Sequence, residues 1–131
     1  MSRISLTNWV VRKTFLNADC LVKDKNELSI ELGFSTGLPR NADNRAYSVV
    51  TKLKVKANNS EEFFSVKLLA VFSFANPETQ CLSDDGKNEI LKMEAFPVAY
   101  ELLCDYVKKF LRAANLKEIA MPLFEDIKVS L

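Results

Sequence analysis

The chain has 131 residues, 48% of them hydrophobic and 27% charged, enough for one soluble domain over residues 1–131 and too few for two. Lys and Arg number 18 and Asp and Glu 17, a formal charge of +1 that argues against a dedicated nucleic-acid binder, whose affinity would come from neutralising many phosphates. There is no His, which excludes triads and metal sites built on imidazole, and Gly33, Gly37 and Gly86 are the only glycines, too few for a phosphate-cradling loop.

Cys20, Cys81 and Cys104 are odd in number and form no CxxC, so neither a disulfide framework nor a metal cluster is expected, and a reduced cytoplasm fits best. The start has no continuous apolar stretch, and the longest purely apolar run, residues 68–72, is far too short to cross a bilayer. The expectation is an unprocessed cytoplasmic protein with no direct membrane insertion and no cofactor.

In chain order the periodicity predicts strands first and one long helix afterwards, an α+β arrangement. The first strand is expected at residues 8–17, where Val10, Val11, Thr14 and Phe15 are β-branched or aromatic. In the second, Leu28, Ile30, Leu32 and Phe34 alternate with Ser29, Glu31 and Gly33; a loop follows over 35–45. The third, 46–57, sets Val49, Leu53 and Val55 opposite Lys52, Lys54 and Lys56, and Asn58-Asn59-Ser60 supplies a hairpin turn. In the fourth, 63–74, every even position from Phe64 to Phe74 is apolar, while Leu69 and Val71 make the other face mixed.

Asn76-Pro77 and Ser83-Asp84-Asp85-Gly86 break the pattern, and a helical period begins near Asn88. From Ala99 onward Leu103, Tyr106, Val107, Phe110, Leu111 and Ala114 recur at three and four residues, with Glu101, Asp105, Lys108, Lys109 and Arg112 opposite. Pro97 is expected at a kink or in a first turn, since it has no backbone N–H to donate. The helix should stop near Asn115, followed by an extended piece at 119–122 and a brief tail from Phe124.

Four strands about 4.8 Å apart make a sheet about 19 Å wide, whereas one helix is about 10–12 Å across. A single helix therefore shields about half of one sheet face. The rest calls for a partner subunit, the loop at 35–45, or an apolar segment of another protein.

The order and spacing of several segments resemble the SecB and SecB-like protein-export chaperones. These are the lysine-rich strand Val49-Val50-Thr51-Lys52-Leu53-Lys54-Val55-Lys56-Ala57, then Glu61-Glu62-Phe63-Phe64 opening a strand that ends Val71-Phe72-Ser73-Phe74, then Ala95-Phe96-Pro97 near the start of the helix, and finally Ile119-Ala120-Met121-Pro122-Leu123-Phe124. The resemblance covers about residues 8–124. It implies a four-stranded antiparallel sheet packed against the long C-terminal helix, assembled as a homo-oligomeric dimer of dimers that holds unfolded or nascent polypeptide clients in apolar grooves without ATP. It implies a groove lined by Leu28, Ile30, Leu32 and Phe34 of the second strand and Phe96 and Tyr100 of the helix, with Phe124 and Ile127 at the C-terminal end.

Export chaperones of this family dock the translocase motor through strand carboxylates. The matching positions here are Arg12 or Lys13, Leu16 or Asn17, and Ser65, so the acidic dock is missing. That favours a SecB-like protein serving another client, such as an antitoxin in a toxin–antitoxin system, over coupling to the motor.

Plainer readings stand beside these. The apolar face of the second strand, and Phe96 and Tyr100, fit ordinary core packing first, since alternating strands and helically spaced aromatics usually pack inward. Lys52, Lys54 and Lys56 fit a solvated strand face that guards a sheet edge. Cys104 fits an inert thiol among apolar neighbours, and Glu101 with Asp105 fits a solvated helix face. An alternative function is a helix-on-sheet carrier of a small molecule or lipid; an enzyme is not expected, because no nucleophile and base pair stands out.

Overall fold

A computed structural model describes residues 3–22, 26–37, 46–58, 61–74 and 83–127. Four antiparallel strands, β1 (Ile4–Leu16), β2 (Leu28–Gly37), β3 (Tyr47–Ala57) and β4 (Glu61–Phe74), form one sheet in the order β1-β4-β3-β2. Helix α1 (Asp84–Ile90), a π-helical turn (Leu91–Ala95) and helix α2 (Phe96–Ala113) then run on without interruption. At 1.5 Å per residue this ribbon is about 45 Å long. The expected α+β class, with a four-stranded antiparallel sheet against a long C-terminal helix, is the observed one.

The central strands are the most regular. On β3, Val49, Leu53 and Val55 point inward and are buried, and on β4 Phe64, Val66, Leu68, Ala70 and Phe72 do the same. The helical ribbon answers with Ile90, Leu91, Ala95, Phe96, Ala99, Leu103, Val107 and Leu111. Each large side chain taken out of water in this layer contributes about 1.5–3 kcal/mol before the cost of ordering it. One inward residue breaks the chemistry: Thr51 is fully buried and its hydroxyl has no hydrogen-bond partner among the described residues.

Three expectations need correction. The first strand begins at Ile4, not residue 8, because two register shifts, between Leu6 and Asn8 and between Val11 and Lys13, scramble its alternation. Leu6 opposite Phe72, Trp9 opposite Ala70 and Val11 opposite Leu68 share the helix side of the sheet despite their odd spacing. Next, Ser83 does not break structure but begins it: its hydroxyl accepts the Gly86 N–H, and Asp84 and Asp85 occupy the positive end of α1. Finally, β3 is an interior strand, so its lysines guard no edge.

Pro97 sits in the first turn of α2, directly after the π-helical turn. There the Phe96 N–H reaches back five residues to the Leu91 carbonyl, and this widened turn makes room for a ring that would otherwise press on the preceding turn. At the other end Asn115 adopts a left-handed conformation (φ 60°), and the Leu116 N–H bonds the Leu111 carbonyl at 2.8 Å, closing the helix where expected. The loop at 38–45, the turn residues Asn59 and Ser60, the Asn76-Pro77 break and Cys81 lie outside the described residues.

Candidate functional site

Three distant stretches of chain meet at one aromatic cluster. Phe34 comes from the middle of β2, Phe96 and Tyr100 from the first turns of α2, and Phe124 from a single helical turn near the C-terminal end. Phe34 stacks on Phe96 with centroids 5.0 Å apart, meets Phe124 edge-on at 5.8 Å and tilts against Tyr100 at 6.2 Å. Tyr100 and Phe124 are 5.9 Å apart. Such pairs are worth about 0.5–1.5 kcal/mol each beyond their burial.

The rest of the expected groove extends from this cluster along β2. Leu32 lies opposite Leu53 and Ile30 opposite Val55, both half-buried; Leu28, opposite Ala57 at the far end, is 41% exposed. Ile127 is half-buried just beyond the Phe124 turn. Phe96 and Tyr100 have almost no free surface, at 0% and 5%. The accessible apolar surface is therefore offered by β2 and the C-terminal segment, with the start of α2 as its foundation.

Residues 116–127 supply a wall of which the sequence indicated Phe124 and Ile127 and left Leu116, Ile119 and Met121 unassigned. Leu116, Ile119, Met121, Phe124 and Ile127 pack against the core, and the Tyr100 hydroxyl donates to the Pro122 carbonyl. The chain here is irregular, so no period announced it; the signal present in the sequence was its apolar spacing alone. Burial raises the Tyr100 phenol well above its ordinary range and also raises the Cys104 thiol, keeping both neutral across physiological pH. No group of three His, Cys, Asp or Glu side chains placed to hold a metal occurs among the described residues. No described helix is long and apolar enough to cross a membrane.

The opposite edge differs. β1 carries Leu6, Trp9, Val10 and Phe15, all exposed large apolar residues; Leu6 and Trp9 lie on the helix side, Val10 and Phe15 on the outer side. Thr14 is tied to the helix by a 2.8 Å hydrogen bond to the Tyr106 hydroxyl and Arg3 pairs with Glu94 of the π-helical turn, while Trp9 between them is 42% exposed. Depressions among the described residues include one on the outer sheet face, one on the solvent side of α2 beside Leu102 and Cys104, and one between Met93 and Phe124.

No protein-family model matches the chain, and no curated protein matches it. Among solved structures it is similar to a SecB-like chaperone of Mycobacterium tuberculosis in complex with a ChAD peptide from the HigA1 antitoxin, with a TM-score of 0.71, 12% identity, and coverage of 93% of this chain and 90% of that one. A protein of unknown function from Streptococcus agalactiae also aligns, with a TM-score of 0.35, 11% identity, and coverage of 92% and 97%. The chain thus has the fold of a SecB-like chaperone.

Proposed function

We propose that this protein is an ATP-independent, homo-oligomeric chaperone that binds exposed hydrophobic segments of unfolded or nascent polypeptides. The observation that carries the proposal is the junction of Phe34, Phe96, Tyr100 and Phe124 at the head of an apolar, half-exposed edge strand. An edge strand offers unpaired backbone groups to an extended client, and alternate apolar side chains offer it pockets. Binding the unfolded client but not its native form delays folding and aggregation by mass action. The exposed apolar side chains of β1 favour self-association at the other edge, as a dimer of dimers would require.

The mycobacterial protein of the same fold holds an antitoxin peptide, and the acidic dock for an export motor is absent here. Both favour a narrow polypeptide client over general export. The test is suppression of aggregation of a denatured substrate without nucleotide, together with the oligomeric mass from light scattering. No suppression at stoichiometric excess overturns the proposal. Replacing Ile30 and Leu32 by Ser should abolish client binding with the oligomer intact; dissociation or unfolding would instead assign that face to an interface or the core.

A further inference from the structure

The sheet face turned away from the helices carries an unexpected row. Lys13 of β1 stands directly opposite Lys67 of β4, and Lys67 directly opposite Lys52 of β3, with Lys54 one step along. Directly opposed residues have Cβ atoms about 4.5–5.5 Å apart, and like charges placed so are destabilising. None of the four lysines has an ion-pair partner among the described residues; Lys54 stands opposite Glu31, which pairs instead with Lys56, at 3.5 Å. On β2 the row ends at Gly33, where nothing stands within 4 Å of a would-be side chain. The result is an open depression of about 420 Å³, bordered by these lysines with Glu31 and Glu62 at its margins.

Edge protection does not account for it. Lys52, Lys54 and Lys67 lie on the two interior strands, where no stray pairing is possible. A repulsive row on interior strands is relieved by a ligand of opposite sign. One step along β4 lies an apolar row, Val10 opposite Leu69 opposite Val50, half-exposed to exposed. A basic row beside an apolar one complements an acidic, amphipathic peptide. A continuous phosphate backbone fits less well, since it offers nothing to the apolar row of Val10, Leu69 and Val50.

We infer that the outer sheet face is a docking surface for an acidic amphipathic polypeptide segment, seated across the Lys13–Lys67–Lys52 row. This site lies on the face opposite the proposed client groove and does not depend on that reading. The probe is a fluorescent 16-residue helical peptide with Glu and Leu on one face, compared with its Glu→Gln counterpart and a 15-nucleotide single-stranded DNA. The acidic peptide should bind, at least tenfold more tightly than the Gln peptide, with affinity falling as salt rises. K52Q/K67Q should lose at least tenfold in peptide affinity while unfolding at the same or a higher temperature. Equal binding of the Gln peptide, tighter binding of the DNA, or unchanged affinity in the folded double variant would overturn the inference.

Discussion

The two edges of the sheet are built from similar residues and end in different states. On β2, Ile30, Leu32 and Phe34 lie half-buried, with Phe34 held between α2 and the C-terminal segment. On β1, Leu6 and Trp9 also face the helix side, yet both remain exposed. The helical ribbon packs on the central pair β3 and β4 and reaches the edges through Phe96 against Phe34 and Tyr106 bonded to Thr14, so an edge is covered further where a second segment joins it. Here residues 116–127 cover the Phe34 end of β2, leaving Ile30 and Leu32 half-buried and Leu28 exposed. Coverage, more than side-chain type, decides whether an apolar strand becomes core or contact surface.

Several substitutions should break or sharpen this contrast. Phe96→Ala removes a fully buried ring beneath the β2 edge and should cost about 3–5 kcal/mol in urea unfolding, whereas Trp9→Ser on β1 should cost about 1 kcal/mol or less and act mainly on the oligomeric mass. Thr51→Val should stabilise by about 1 kcal/mol, because it keeps the shape and removes a buried hydroxyl without a partner. Tyr100→Phe should destabilise by about 1 kcal/mol and speed hydrogen exchange in residues 116–127, with little change on β1. Lys109→Ala, breaking an exposed pair with Asp105, should fall within about 0.5 kcal/mol.

Tyr100 also sets a pH dependence. Its folded pKa is raised above the ordinary value of 10.0, so the unfolded chain loses this proton first as pH rises. The stabilisation is complete below pH 10 and declines above it, toward the folded value. The raised Cys104 thiol acts in the same direction, from its ordinary value of 9.0. Thermal unfolding scanned from pH 8 to 11 should show stability falling at the alkaline end, more gently in Tyr100→Phe; a flat profile in the parent protein would refute the assignment.

How much of this was legible depends on regularity. β3 alternates from Val49 to Val55 and β4 from Phe64 to Phe72, so their inward faces could be read directly, up to the register shift that buries Phe63 beside Phe64. β1 could not be bounded, because its two register shifts put Leu6 and Trp9 on one face at a spacing that matches neither a strand nor a helix. The residues of the candidate site were visible as apolar positions, and the resemblance grouped them. Periodicity alone holds no information on which distant stretches meet, so the meeting of Phe34 with Phe124 and the covering role of Met121 emerged only from the fold. The lysine row was hidden for the same reason: Lys13, Lys52 and Lys67 become neighbours only when the strands pair.

The π-helical turn at Leu91–Ala95 gives the helical ribbon a tolerance to length that composition does not reveal. Such a turn holds about one residue more than an α-helical turn, so removing one residue there would restore an ordinary turn and leave the segments on either side facing the sheet as before. Removing one residue inside α2 would instead rotate everything before it by about 100°, so that Ile90 and Leu91, now seated on the sheet, would swing toward solvent and the Lys87 ammonium would leave the Tyr47 ring over which it lies at 5.5 Å. Deleting exposed Met93 from the turn should therefore be far better tolerated than a deletion within α2.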